Sequence, residues 1–251
     1  MKMIFRKAHL YLYVFSVAFS YAILYPLFYF FSRKTSRYKY MNALRRVWGF
    51  VSSGLVGIFY NFKVEQPIDW SKTYIICPNH TSNLDITAMS IFVKTNNCCF
   101  MGKQELADFF VTALFFRTVD VPVDRASKIA SFRAFKTVME RLAQGITTII
   151  FPEATIPDTY PPQLKDFKNG PFRMAIELKL PIIPVTSLNT WQILWDDGLK
   201  HGSRPGICDI FVHKPIETAH LTIDDADALR DEVHAIISQK LAEHDHRRTN
   251  R

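Results

Sequence analysis

The chain has 251 residues, 48% of them hydrophobic, with 31 Lys/Arg, 23 Asp/Glu and four cysteines. That length supports one sizeable core plus an appendage, and four cysteines in so long a chain exclude a disulfide-stapled miniature fold and fit a reducing compartment. The net charge of +8 is concentrated, because the first 64 residues hold ten basic and no acidic side chains while the remaining 21 basic and 23 acidic residues nearly cancel.

The basic quarter is also the most apolar. Residues 10–31 (LYLYVFSVAFSYAILYPLFYFF) carry no charge for 22 positions. As a helix, such a run reaches about 33 Å, the thickness of a hydrocarbon core. It is too long for a signal-peptide core, and no small-x-small cleavage site follows it. Tyr11, Tyr13, Tyr25 and Tyr29 sit near its ends, beside basic flanks. A second apolar stretch, residues 47–60, is too short to span. Basic residues on both sides of the long run give no inside–outside asymmetry. Two helices dipping into one leaflet, with residues 33–39 near the tip, are therefore expected ahead of a single crossing. The basic residues punctuate lipid-seeking helices and do not form a polar patch, which points to membrane lipids as partners and away from nucleic acid.

Beyond Glu65 strands and helices alternate. Residues 73–77 predict a short buried strand, and Ser82 or Asn83 caps a helix carrying Ile86, Met89 and Phe92. Residues 98–102 read as a strand, 104–116 as an apolar helix, and 118–123 as a strand ending at Asp124-Arg125. The clearest amphipathic helix covers 127–144, where Ile129, Phe132, Phe135, Val138, Met139 and Leu142 recur at three- and four-residue steps before Gly145. Residues 146–151 are β-rich, 157–162 form a proline-rich loop, 171–178 a short helix, and 182–187 and 208–212 strands. Thr222 and Asp225 resemble a capping box ahead of Leu229, Val233, Ile236 and Ile237, and residues 244–251 are expected to fray. The expected fold class is α/β: a mixed central sheet flanked by helices, with an N-terminal membrane-embedded helical segment. Residues 1–61 are assigned to membrane-associated helices, a helical hairpin, and 62–251 to the α/β domain.

The chemistry centres on CPNHTSNLD, residues 77–85. A neutral imidazole takes a proton near pH 7, and a carboxylate fixes its tautomer. On one continuous helix His80 and Asp85 would stand about 140° apart and would not meet. They meet if His80 lies in the turn before the helix and Asp85 in its first turn, which Pro78 and the capping Ser82 and Asn83 allow. The alternative is a polar turn satisfied by its own backbone. No Gly-x-Ser-x-Gly elbow is present, and Cys77, at the end of an apolar strand, reads as core. No His-Glu-x-x-His pattern occurs, which leaves His80, Asp85 and Glu153 as the one metal alternative; neither metal nor cofactor is expected. A histidine base without a protein nucleophile points to direct activation of a substrate hydroxyl.

Val123-Asp124-Arg125 and Phe151-Pro152-Glu153-Ala154-Thr155 both follow strands, where α/β folds commonly bind ligands. Arg125 offers a fork for phosphate, with Thr155 and loop N–H groups as further donors. Residues 180–185 (LPIIPV) read as an apolar wall.

In combination and order, NHTSNLD, VPVDR, FPEAT and LPIIPV resemble the four blocks of the lysophosphatidate (1-acylglycerol-3-phosphate) acyltransferase family, within the glycerolipid acyltransferases. The resemblance covers residues 62–215, and MGKQEL and FKNGPF look like its connecting segments. It implies a membrane enzyme moving a fatty acyl chain from a thioester co-substrate, acyl-CoA or acyl carrier protein, to the sn-2 hydroxyl of 1-acyl-sn-glycerol-3-phosphate, giving phosphatidate. It implies His80 as general base, Asp85 as its orienter, and Lys103 and Arg125 beside the acceptor phosphate. Glu153, Ala154 and Thr155 would shape the binding loop, with Glu153 orienting Arg125 or accepting a hydroxyl proton in a hydrogen bond. The site would face the cytoplasm.

Two positions depart from the family pattern. The usual glycine of the third block is Ala154. Alanine tolerates positive φ poorly, so the loop is expected to differ or to use negative φ. The residue after Thr155, commonly arginine, is Ile156, with Lys165, Lys168 or Arg173 as substitutes. Another lysolipid acceptor, such as an amino-acid-containing lipid, is the alternative; a non-catalytic lipid-binding protein and a thioesterase are the more distant ones.

Overall fold

A computed structural model describes residues 2–95 and 97–249, with side chains described through residue 246. Two helices lead, α1 (Lys2–Ser32) and α2 (Tyr38–Gly54). There follow β1 (Ile58–Val64), β2 (Ile75–Pro78), α3 (Leu84–Phe92), β3 (Cys98–Lys103), α4 (Ala113–Phe116), β4 (Val121–Val123) and α5 (Lys128–Ala143). The chain closes with β5 (Thr147–Ile150), α6 (Gly170–Leu178), β6 (Ile182–Ser187), α7 (Thr190–Ile193), β7 (Gly206–Val212) and α8 (Ala226–Thr249). The strands form one seven-stranded sheet in the order β1-β7-β6-β2-β5-β3-β4. β6 and β7 pair antiparallel, and the other neighbours are parallel. The mixed sheet flanked by helices is the expected class.

The side-chain period of two explains how short strands carry two cores. In β2, Ile75 and Cys77 face Val138, Leu142, Phe172, Met174, Val233 and Ile237 from α5, α6 and α8. Ile76 faces the other way, onto Ala88, Met89 and Phe92 of α3. A strand buried on both faces needs no polar alternation, which is why β2 reads as a continuous apolar run. Each such isoleucine contributes about 2 kcal/mol of burial.

Several local expectations are corrected. The apolar stretch 47–60 is not one helix: α2 starts earlier and ends at Gly54, and Ile58 already belongs to β1. A boundary after residue 61 therefore falls inside β1, which pairs with β7 along all seven of its residues. Residues 104–116 do not make a continuous helix. A 3-10 turn spans Gln104–Ala107, and the Thr112 hydroxyl donates to the Leu106 carbonyl at 2.6 Å, a local bond that competes with helical pairing. In α5 Ala134, Val138 and Leu142 are buried and Phe135 and Met139 half-buried, whereas Ile129 and Phe132 stand 67% and 69% exposed. The capping box of Thr222 and Asp225 forms, with the Thr222 N–H donating to Asp225 Oδ2 at 2.8 Å. The helix behind it continues to Thr249; of the tail expected to fray, Asn250 and Arg251 lie outside the described residues.

The leading helices are fastened to the sheet domain along their length. Near the start of α1, the Ser203 N–H donates to the Arg6 carbonyl at 2.9 Å. His9 bridges Ser203 Oγ at 2.7 Å and the Val56 carbonyl at 2.9 Å. Gly202 is required here: at φ +67 a Cβ would sit 2.6 Å from the Arg6 carbonyl carbon. Toward the other end of α1, Tyr21 meets the Phe110 ring at 5.6 Å and Phe28 meets Phe115 at 5.1 Å. Helix α2 is locked by a buried ion pair. Arg45 Nη1 donates to Asp120 Oδ2 at 2.7 Å, Asp120 Oδ1 accepts from the Phe100 N–H at 2.9 Å, and both side chains are below a tenth exposed. Positions 6 to 28 of α1 cover about 33 Å, and both ends of that length touch the same domain. The remaining face of α1 presents Phe5, Tyr11, Leu12, Phe15, Phe19, Ile23 and Leu27 to the outside.

Candidate active site

Parallel neighbours end on the same edge, so the order β6-β2-β5-β3-β4 aligns five carboxyl termini. His80 follows β2, Glu153 follows β5, Lys103 ends β3, and Arg125 follows β4. The residues expected from four separate segments thus lie along one edge, where α/β sheets bind ligands.

His80 sits in the turn before α3, and Asp85 is the second residue of that helix. The five-residue spacing that fails on a helix works across this boundary: His80 Nδ1 lies 3.2 Å from Asp85 Oδ2. The same oxygen accepts the N–H groups of Thr81 at 2.7 Å and Ser82 at 2.9 Å. The carboxylate therefore closes the helix entry as well as holding the ring. Because a carboxylate only accepts, Nδ1 carries the hydrogen and Nε2 presents its lone pair. The imidazole stacks on Phe151, with centroids 4.1 Å apart and planes at 25°. His80 is 14% exposed and Asp85 is wholly buried.

Glu153 does not orient Arg125. Its Oε1 accepts the His80 N–H at 2.6 Å and its Oε2 accepts the Lys165 N–H at 2.9 Å. It ties the loop after β5 to the turn after β2. Burial pushes its pKa up to about 7, against the pull of the two backbone donors and with help from the Asp85 charge. Ala154 adopts φ 64, the left-handed region, in place of the negative φ expected for alanine. The loop keeps the glycine conformation despite the side chain, at a cost of about 1–2 kcal/mol. The Thr155 hydroxyl turns toward its neighbour Ile156, whose carbonyl is 3.4 Å away.

The strands that lead to Lys103 and Arg125 are set off from this cluster, although the Lys103 charge reaches Asp196, which also feels His80. With strands about 4.8 Å apart, β3 is two spacings from β2, about 10 Å, and β4 three spacings, about 14 Å. Both residues are exposed at the surface, and partial burial of the Arg125 guanidinium lowers its pKa, with the Glu105 carboxylate pulling the other way. Of the remaining basic candidates, Lys165 and Lys168 contribute backbone N–H groups to the loop, Lys168 to the Pro152 carbonyl at 2.9 Å.

Three residues that the sequence did not single out complete the edge. Asn79 clasps Ser187 at the end of β6: it accepts the Ser187 N–H at 2.7 Å and donates to its carbonyl at 3.2 Å. Asp196, at φ 52, donates its N–H to the Thr81 carbonyl and accepts the Asn83 N–H. Thr190, wholly buried, donates to Asp85 Oδ1 at 2.7 Å. The NH of the NHxxxxD block marks Asn79 in retrospect; for the other two no sequence signal exists. Cys77 is buried core, as read, and burial pushes its thiol up, away from nucleophilic use. Among the described residues no three His, Cys, Asp or Glu side chains are placed to hold a metal, and the oxygens of Asp85 are already occupied by internal donors.

The arrangement resembles known proteins at three levels. The chain spans 58% of the length of the mouse 1-acyl-sn-glycerol-3-phosphate acyltransferase alpha, to which it is 28% identical over 177 residues, 69% of its own length. It is 26% identical to the Haemophilus influenzae 1-acyl-sn-glycerol-3-phosphate acyltransferase over 197 residues, covering 76% of this chain and 78% of that one. The crystal structure of the 1-acyl-sn-glycerophosphate acyltransferase PlsC from Thermotoga maritima superposes with a TM-score of 0.79 over 97% of both chains at 21% identity, a likeness of fold. The model of the family described as Acyltransferase matches residues 60–188, half of the chain and the stretch that holds His80, Asp85, Lys103, Arg125 and Glu153. By that match, this chain is a member of the acyltransferase family.

Proposed function

We propose that the protein is a membrane-bound 1-acylglycerol-3-phosphate O-acyltransferase, moving a fatty acyl chain from acyl-CoA or acyl carrier protein to the sn-2 hydroxyl of a lysophosphatidate. The observation that carries the chemistry is the His80 and Asp85 pair, 3.2 Å apart with Nε2 presented. Nε2 takes the proton of the acceptor hydroxyl as its oxygen attacks the thioester carbonyl. The tetrahedral intermediate collapses, the carbon–sulfur bond breaks, and the imidazolium returns the proton to the departing thiolate. Asp85 stabilises the imidazolium between these steps. Lys103, the nearer of the two cations, meets the acceptor headgroup, and Arg125 reaches back to it over a longer span. Helix α1 lies in one leaflet: a helix fastened at both ends to one domain does not carry that domain's chain across a bilayer. Its apolar outer face holds the site at the lipid surface on the cytoplasmic side.

A second acceptor class is favoured by one observation, the half-buried Ile156 at the position where the family commonly carries arginine. An acylation assay in vesicles separates the readings, with 1-acylglycerol-3-phosphate, a lysolipid amino acid and no acceptor in parallel. Product from the first supports the proposal. Product from the second alone moves the acceptor to the amino-acid lipids. Thiol release without acceptor makes the protein a thioesterase, and no turnover of any thioester ends the enzymatic reading.

A further inference from the structure

Asp85 is held from two directions. Its Oδ2 takes the three donors of its own turn, the His80 ring and the N–H groups of Thr81 and Ser82. Its Oδ1 takes one donor from 105 positions away, the Thr190 hydroxyl at 2.7 Å. Thr190 lies two residues beyond the segment matched by the family model. It is wholly buried, as is Asp85.

Proton bookkeeping gives this contact a direction. An ionised carboxylate only accepts, so the single Thr190 hydrogen points at Oδ1. Thr81 Oγ1 lies 2.9 Å from Thr190 Oγ1 and must then be the donor in that pair. The chain runs from Thr81 to Thr190 to Asp85. Thr190 opens the four-residue α7 without capping it, since no side-chain cap forms at that end. Its position is set by its neighbours: Asn79 grips Ser187 just before it, and Asp196 pairs with the backbone of Thr81 and Asn83 just after it. The segment from β6 to Asp196 thus clasps the base-bearing turn at three points, and the middle one touches the carboxylate.

We propose that Thr190 is a positioning residue for the proton transfer. It fixes the rotation of the Asp85 carboxylate so that Oδ2 faces the His80 ring, and it draws off part of the carboxylate charge. This rests on the reading of His80 as the base.

The test uses the full chain in vesicles with the acceptor identified as above, comparing Thr190→Val, Thr190→Ser, Thr81→Val, the double Thr190→Val/Thr81→Val and His80→Ala. The valine removes the hydroxyl at nearly constant shape, and serine restores it. Valine is expected to lower kcat about tenfold, as for the loss of one hydrogen bond to a charged group. KM for donor and acceptor is expected to stay within about threefold. The acid limb of the rate profile is expected to move up by about half a pH unit, because a carboxylate short of one donor holds the imidazolium more tightly. Serine recovers both the rate and the profile, and Thr81→Val adds nothing once Thr190 is valine, since it acts through Thr190. Should the valine chain not fold, Thr190→Ala read against Thr190→Ser makes the same comparison. Serine as impaired as valine, an unmoved kcat and profile, or a rise in KM alone overturns the role of Thr190 while His80→Ala remains inactive. An active His80→Ala overturns the underlying reading instead.

Discussion

The carboxyl edge of the sheet has two halves built on different terms. Around β6, β2 and β5, side chains are buried and matched to named partners: Asp85 with four donors, Glu153 with two, Asn79 with both backbone groups of Ser187. Around β3 and β4, Lys103 and Arg125 are exposed, and the buried order beneath them is the Arg45 and Asp120 pair. On the proposed function, the difference separates what the reaction needs from what the substrate needs. A proton transfer depends on sub-ångström placement, whereas a flexible cation finds a phosphate without being held in advance.

The largest expected effect tests the closed half. His80→Ala should lower kcat by about 10²–10⁴-fold with the fold and vesicle binding unchanged, read by steady-state assay and flotation. Retention of more than a few per cent of the rate would make the closed half a structural feature only. The open half has its own rigid element, so Arg45→Ala should cost about 3–5 kcal/mol of unfolding free energy by leaving Asp120 buried and unpaired. A loss below about 1 kcal/mol in denaturant titration would show that half to be loose throughout.

Glu153 gives the closed half a pH signature. The folded carboxyl binds its proton up to about pH 7, while an unfolded glutamate releases it near pH 4.3. Between those values the folded state holds more protons, so the stability contributed by this site falls as pH rises. The stability of Glu153→Gln relative to the parent should therefore improve by up to about 3 kcal/mol from pH 4 to pH 8. A difference that stays flat in urea titrations would mean that the two backbone donors, and not burial, set its titration.

Arg125→Ala is expected to raise the acceptor KM about tenfold with kcat within twofold, as for one solvent-accessible charge-assisted contact. An unchanged KM would leave Lys103 as the headgroup contact. The smallest effect belongs to Ala154→Gly, expected to stabilise the chain by roughly 0.5–1 kcal/mol, since relief of the left-handed alanine outweighs the added freedom of the unfolded chain. Destabilisation in a thermal or urea melt would show that the Ala154 methyl is itself packed to advantage.

The closed half was the more legible, but only in part. His80, Ser82 and Asp85 lie within one turn and a cap, so nine residues contain their own geometry. Thr190 was illegible because a lone threonine after an apolar strand has no periodicity, and its partner is 105 residues away. Buried strands β2, β5 and β6 announced themselves as apolar runs. The edge strand β1 did not, because its sequence IFYNFKV continues the apolar stretch begun in α2. The length between β3 and β4 was misread since composition alone favours a helix there, while Thr112 diverts a carbonyl that a helix would need. Ala154 shows the limit of residue preference: hydrogen bonds on both sides of the loop hold φ 64 against the side chain's bias.

The fastening of α1 has a consequence for which molecules can react. A domain on a flexible leash rises and falls over the bilayer, and its site samples many heights. Here the Arg6 carbonyl, His9, Tyr21 and Phe28 are fixed to the body that carries His80. With α1 seated among lipid tails, the height of the imidazole above them becomes a constant of the fold. On the proposed function, that fixed height would select acceptor hydroxyls by how far below the headgroup plane they ride.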